Sequence, residues 1–342
     1  LDDTTPTPVV VDEVTFDDGP PWPVTPDGLG PSLELVDLTL DNDTPRNWHA
    51  STAPAEHTAG NPNHAASTGL PPWIENVEHP ADPQPNDPMV VTATVLDADT
   101  VELAYVIGAD RPPVEVTLSM FDNGTSNDGA AGDDVWGLPT GGEIPGQPAG
   151  TPVRYRLTAT GPTGTMEYPR DDDTVEYGGT AVLDPALTSA LPIFHWFMDD
   201  DDYQDCICDG SPGCHLFTDE TEPAVLFYDG KLYDAVQVRV RGKSARNWLK
   251  KNWKFYFPQG HNFTAPGLIE REVDTFDLQG NYADKSFMRE TLSWETIRDG
   301  DAPYLQVFPV RLEKDGQFFG LYTYLEAPDA DWIRRMGLSN SG

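Results

Sequence analysis

Five cations, Arg239, Arg241, Lys243, Arg246 and Lys250, crowd one short stretch of an acidic chain, and Lys251 and Lys254 follow just beyond them. Guanidinium and ammonium groups at that density suit an anion with several oxygens, because charge-assisted hydrogen bonds to phosphate or carboxylate are the strong ones. The flanking residues show how they are held. Val236, Val238 and Val240 alternate with Gln237, Arg239 and Arg241. That period of two buries one face of a strand and leaves the other cationic. After a Gly242-Lys243-Ser244-Ala245-Arg246 turn, Trp253, Phe255 and Phe257 share one face of a second strand, with Asn252, Lys254 and Tyr256 on the other. A small sheet closing over phosphates is one reading; the other is that Arg241 and Arg246 pair with nearby acids and brace the sheet.

A second cluster has the opposite sign. Between Phe121 and Asp134, the acids Asp122, Asp128, Asp133 and Asp134 crowd a glycine-rich loop with Asn127. Hard oxygen ligands on a flexible loop suit Ca²⁺, although the twelve-residue EF-hand pattern and its closing Glu are missing. A solvated hairpin loop is the alternative. The three cysteines fall in Cys206-Ile207-Cys208-Asp209-Gly210-Ser211-Pro212-Gly213-Cys214, followed by His215. Cys206 or Cys208 can close a small loop with Cys214 in an oxidising compartment. A Cys3His zinc site fits the residue types but lacks the usual two pairs. No Ser/His/Asp or Cys/His arrangement offers another active site, and His195 and His215 are isolated enough to read as structural.

Such groups need elements to position them. The 342 residues suffice for two or three domains. The 33 Pro and 30 Gly, with many Asp-Gly and Asn-Gly pairs, indicate strands joined by tight turns. Against 57 acidic residues there are 21 basic ones, a formal charge of −36. That balance argues against nucleic-acid or anionic-membrane binding. It fits a solvated surface in salty surroundings or one that gathers divalent cations. No apolar run approaches the roughly 18 residues of a membrane span, and no signal peptide is present.

Composition divides the chain into three blocks, with domains expected at 1–63, 70–180 and 183–342. In the first, strand-like pieces lie at Val9–Phe16 and Ser32–Leu38. Val11-Asp12-Glu13-Val14, Pro21-Trp22-Pro23, Ser32-Leu33-Glu34-Leu35, Asn47-Trp48 and Gly60-Asn61-Pro62-Asn63 resemble the C-terminal half of a bacterial lamin-tail domain. The resemblance implies a partial immunoglobulin-like sandwich in which Trp22 and Trp48 pack. The second block has alternating strands at Met89–Leu96, Val101–Ile107, Val114–Met120 and Val153–Thr160. It looks like the immunoglobulin- or fibronectin-like spacer modules of bacterial surface proteins. In the third, strands are expected at Leu191–Met198, across Ala224–Tyr233 and through the cationic pair. A helix over Ser286–Arg298, capped by Asp284 or Ser286, and a hairpin of Val307–Leu312 with Phe318–Glu326 complete it.

Four ordered segments of this block resemble the kinase-like family of the spore coat protein CotH. They are Arg239-Val240-Arg241-Gly242-Lys243-Ser244-Ala245-Arg246, Lys250-Lys251-Asn252-Trp253-Lys254, Asp277-Leu278-Gln279-Gly280-Asn281 with Met288-Arg289, and Gly316 to Tyr322 with Leu325-Glu326. Lys243 stands where Asn is usual in that family and Ala245 where Ser is usual. The resemblance implies an α+β protein-kinase-like N-lobe, using ATP with Mg²⁺ or Mn²⁺. Lys250, Lys251 or Lys254 would hold nucleotide phosphates, assisted by Arg241, Ser244 and Arg246. Glu295, on the helix face shared with Met288 and Leu292, would orient the lysine, its other reading being a partly exposed acid beside Arg298 or Arg289, with Glu290 solvated, and Tyr322 to Glu326 would be the hinge that meets adenine.

The expected fold is therefore multidomain: two all-β immunoglobulin-like sandwiches, the first partial, then that N-lobe, truncated after the hinge. After Glu326 no acceptor-side Asp follows, since Asp329 and Asp331 read as the N-terminal acids of a short helix. The chain is accordingly expected to be an inactive fragment, with weak or no ATP binding, of a secreted or surface protein whose parent phosphorylates extracytoplasmic proteins. The competing expectation is a non-catalytic surface adhesion or assembly protein. The sequence names no protein partner.

Overall fold

The computed structural model describes residues 12–208 and 213–339. Up to Gly69 there is little regular structure. β1 (Leu33–Leu35) and β2 (Trp48–Ala50) form a two-stranded antiparallel ribbon. Polar contacts organise the rest. The buried Asn47 side chain accepts from the Asp37 amide at 2.7 Å and donates to the Asp37 and Asp41 carbonyls at 2.9 Å. Trp22 packs on Trp48 with ring centroids 6.3 Å apart. The partial sandwich expected here is thus a ribbon closed around a buried amide, because this stretch has too few consecutive apolar positions to build two facing sheets. Of the expected Val9–Phe16 strand, Val9 to Val11 lie outside the described residues, and Asp12 to Phe16 carry no strand.

Eight strands follow: β3 (Trp73–Glu78), β4 (Thr92–Leu96), β5 (Thr100–Ile107), β6 (Val116–Met120), β7 (Val135–Gly137), β8 (Thr151–Gly161), β9 (Gly164–Tyr168) and β10 (Gly178–Val182). One sheet runs β3-β4-β7. The other runs β10-β8-β5-β6, with β9 paired to β8. Alternate residues such as Val95, Val101, Leu103, Val153 and Leu157 point into one core shared by both sheets.

From Ile193 onward the chain builds a closed barrel. Its elements are β11 (Ile193–Phe197), α1 (Asp200–Ile207), β12 (Glu222–Tyr228), β13 (Lys231–Val240), β14 (Trp253–Tyr256), β15 (Thr275–Gln279), α2 (Arg289–Asp299), β16 (Val307–Lys314), β17 (Gln317–Glu326) and α3 (Ala330–Arg335). The strands follow the order β11-β12-β13-β14-β15-β17-β16, and the parallel pairing of β11 with β16 closes the ring. Aromatic side chains fill it. Phe276 is fully buried, stacks on Phe255 at 5.1 Å and meets Phe263 at 4.8 Å and Tyr324 at 5.2 Å.

This barrel overturns the expected α+β kinase-like N-lobe. Alternation along each strand was legible, but the contact of β11 with β16 joins residues more than a hundred positions apart, and no local pattern announces it. Closure removes the free edge that a hinge needs: β17 pairs with β15 on one side and β16 on the other, so its backbone is already engaged. α1 packs Tyr203 and the buried Cys206 against the barrel core, whereas α2 buries only Thr291. Met288 and Leu292, expected inward, are 43% and 52% exposed. The helix starts at Arg289, whose amide donates to Asp284.

The barrel is fastened to the preceding segments by buried charge and a small shared core. Arg154 of β8 meets Asp234 of β13 at 3.1 Å, both side chains being buried. Ala181 of β10 joins Phe197, Val225 and Phe227 on the barrel wall. The turn after β9 reaches both β2 and the barrel region. Asp171 lies 3.1 Å from His49, Arg170 donates to the Trp48 carbonyl, and Asp173 contacts His261 at 2.6 Å.

Two outcomes test this architecture. Phe276→Ala removes the ring on which the barrel core converges and lowers unfolding stability by about 3–5 kcal/mol in denaturant titration. The buried His195 of β11 has its pKa pushed down to about 4, by burial first and by Arg311 second. The unfolded chain takes up that proton near pH 6.5 and the folded barrel does not. Stability therefore falls as pH drops from about 6.5 to about 4, by on the order of 3 kcal/mol. His195→Gln flattens that part of the pH–stability curve.

Candidate anion-binding site

Strand register turns the alternation of β13 and β14 into a charged row on the barrel exterior. Arg239 sits directly opposite Lys254, and Lys254 opposite Asp277 of β15. Two like charges facing each other across a ladder destabilise it, so the placement of Arg239 beside Lys254 needs an anion nearby. The residues after β13 bring more cations. Gly242, at φ +107°, turns the chain where a side chain is disfavoured, and a 3-10 turn over Ser244–Asn247 carries Arg246 inward.

Together these residues line an open cleft of about 450 Å³, with Asp219, Asp329 and the Ala327-Pro328 turn completing its wall. Five cations (Arg239, Arg241, Lys243, Arg246 and Lys254) face three carboxylates (Asp219, Asp277 and Asp329), an excess of two positive charges in a chain of −36. Low-dielectric walls focus such an excess onto an incoming anion.

The arginines are not free. Asp219 Oδ1 accepts from Arg239 Nη1 at 2.8 Å and from Arg246 Nη2 at 2.7 Å. Those bonds, that to Arg246 foremost, hold the Asp219 carboxyl below the usual carboxylate range. Arg246 also donates to the Leu216 and Thr218 carbonyls, and Arg239 Nε to the Tyr256 hydroxyl. Arg241 Nη1 approaches Asp277 at 3.1 Å. The bracing role is therefore real for the three arginines. Lys243 and Lys254 differ: neither forms an ion pair among the described residues.

Asp277 is 2% exposed, and its Oδ1 is buried without a hydrogen-bond partner. Burial raises its pKa, opposed by Arg241 and Lys254. Glu290 of α2, expected to be solvated, is half-buried, receives a hydrogen bond from Gln279 and lies in the field of Arg241 and Asp277.

Several sequence candidates lie elsewhere. The Lys250 ammonium sits between the Phe287 and Tyr322 rings, at 4.6 and 4.4 Å from their centroids, and donates to the Leu321 carbonyl. Burial lowers its pKa to about 8. Lys251 donates to the Arg246 carbonyl at 2.6 Å and so stiffens the turn. Ser244 is exposed at the start of the 3-10 turn. Glu295 lines a separate small cavity with Glu270, Arg298 and Tyr304. Glu326 is buried, pairs with Arg335 at 2.6 Å and accepts from the Gln306 amide, so it locks α3 onto the barrel. Asp329 accepts from the Asp331 and Trp332 amides at the start of α3, the helix-opening role expected of it.

In the acidic loop the carboxylates serve the backbone. Asp128 accepts from the Asn123, Gly124 and Ser126 amides, Asp122 from Gly132 and Asp134, and Asp133 from Ala130 and Val135. Among the described residues no group of three or more His, Cys, Asp or Glu has metal-holding geometry. Cys208 and Cys214 form a disulfide, and Cys206 is buried and free. His215 meets Glu220 and Glu222 at 2.9 and 2.6 Å. No helix among the described residues is long and apolar enough to cross a membrane.

Sequence reasoning missed Asp219 as a partner of the cationic strands. It lies twenty positions before Arg239 with no pattern linking them. Asp277 did carry a signal, an acid inside the apolar strand Thr275-Phe276-Asp277-Leu278.

Residues 238–342 match the family model described as CotH kinase protein. The match starts within β13, and every residue lining the cleft except Asp219 lies inside it. None of the curated proteins compared matches the chain.

Asp128 is held below the usual carboxylate range by its three amide donors acting against burial. Its contribution to stability is therefore present above the unfolded pKa near 4 and is lost as pH falls through the lower folded value. Asp128→Asn lowers the thermal midpoint at neutral pH, in calcium or in EDTA alike, and differential scanning fluorimetry from pH 7 to 3 shows a shallower acid limb.

Proposed function

We propose that the cleft beside β13 and β14 grips the phosphate tail of a nucleoside triphosphate, ATP by the likeness of residues 238–342 to the CotH kinase protein family. The observation that carries this reading is the excess of cations in the cleft, with Lys243 and Lys254 in no ion pair among the described residues while the net charge of the chain is strongly negative. Phosphoryl transfer depends mainly on positioning and on neutralising the moving phosphate, and cations fixed on a rigid barrel wall do both.

A magnesium or manganese ion suits the same place. Mg²⁺ takes one or two carboxylates together with substrate phosphates. Asp277, with an oxygen lacking a hydrogen-bond partner, and Asp329 are the two that would share it. Such an ion would neutralise phosphate charge. Arg239, Arg241 and Arg246 would fix the phosphate oxygens, with Lys243 and Lys254 supplying the remaining charge.

In this reading the chain contributes phosphate binding and works outside the cytoplasm. The Cys208–Cys214 disulfide supports an oxidising compartment.

Calorimetry with Mg·ATP or inorganic triphosphate tests the reading, and absence of binding would end it. Lys254→Gln removes one charge-assisted contact and weakens binding about tenfold to a hundredfold. Lys250→Gln leaves it unchanged, because that ammonium is committed to Phe287, Tyr322 and the Leu321 carbonyl.

A further inference from the structure

Asp219 occupies an unusual position. Its side chain is 78% exposed, yet a single oxygen receives hydrogen bonds from two guanidinium groups. It makes no other hydrogen bond among the described residues. Nothing packs it in place, so the two arginines alone hold it.

Those arginines do not depend on it in return. Arg246 is anchored by the Leu216 and Thr218 carbonyls with its side chain only 9% exposed, and Arg239 by the Tyr256 hydroxyl at 2.8 Å. Two guanidiniums converging on one anionic oxygen, and pre-set by other bonds, form a receptor for a phosphate oxygen. Asp219 fills that receptor from outside the segment that matches the CotH kinase protein family.

We propose that Asp219 is a built-in stand-in for a ligand phosphate, which occupies the Arg239–Arg246 fork in the free protein and restricts the cleft to polyphosphates by making every ligand displace it. The inference rests on the phosphate-binding reading above. The Asp219 side of each pair is largely exposed, so rotation of that one side chain clears the fork without unfolding the loop, which His215 ties down through Glu220 and Glu222. A monovalent anion gains no more from the fork than Asp219 already does. A triphosphate gains the fork and also reaches Lys243 and Lys254, which Asp219 does not engage. Asp219 thus sets both the affinity of the cleft and its preference for ligand charge.

The test compares wild type, Asp219→Ala and Asp219→Asn by ³¹P NMR titration and calorimetry, with inorganic triphosphate and inorganic phosphate as probes. Wild type binds triphosphate and discriminates strongly against phosphate. Asp219→Ala binds triphosphate on the order of tenfold tighter, as expected when a competing closed state is removed, and gains measurable phosphate binding. Asp219→Asn keeps the shape of the side chain, folds as wild type by near-ultraviolet circular dichroism, and shifts in the same direction. Equal or weaker triphosphate binding in both variants, with wild type still binding, overturns the stand-in and leaves the phosphate-binding reading intact. Absence of triphosphate binding in all three proteins ends that reading and the inference together.

Discussion

Closure of the seven-stranded sheet through the parallel contact of β11 and β16 is the constraint from which the rest follows. A closed sheet has one inside, and here that inside is filled with aromatic rings that tolerate no charge. Every cation on β13 and β14 is therefore forced to the outer surface. Ladder register then decides which of them become neighbours: Arg239, Lys254 and Asp277 fall in one row. The cleft is thus a by-product of core packing as much as of its own residues.

Electrostatics does the remaining selection. The net charge of −36 disfavours anions on average, and this wall is a place where cations outnumber acids. Its arginines are pre-oriented by carbonyls, a tyrosine hydroxyl and carboxylates, so they lose little freedom when a ligand arrives. The lysines are less constrained. This division, rigid forks with adaptable point charges beside them, suits an anion with several oxygens better than one with a single charge.

How much of this was legible in the sequence varied by feature. The alternation of Val236, Val238 and Val240 with Arg239 and Arg241 placed both faces of β13 correctly, and the hairpin of β16 and β17 stood out from its Asp315-Gly316 turn. The helix-opening acid Asp329 was also visible. Closure was not, because it depends on a contact between Ile193 and Arg311. Without closure, the lysines looked equivalent. Lys250 and Lys254 differ by four positions, yet one enters the cleft and the other lies between two rings. Helix periodicity grouped Glu295 with Met288 and Leu292, which are exposed, whereas Glu295 lies half-buried one turn after Thr291, beside Glu270 and Arg298 and outside the cleft.

The turn from Arg170 to Asp173 joins three parts of the chain through His49, the Trp48 carbonyl and His261. With Arg154 and Asp234 bonded nearby, the N-terminal segment, the paired sheets and the barrel are clamped on one flank. The cleft is lined by none of these residues. A load applied to the N-terminal segment would pass to the barrel through these bonds, none of whose residues lines the cationic wall.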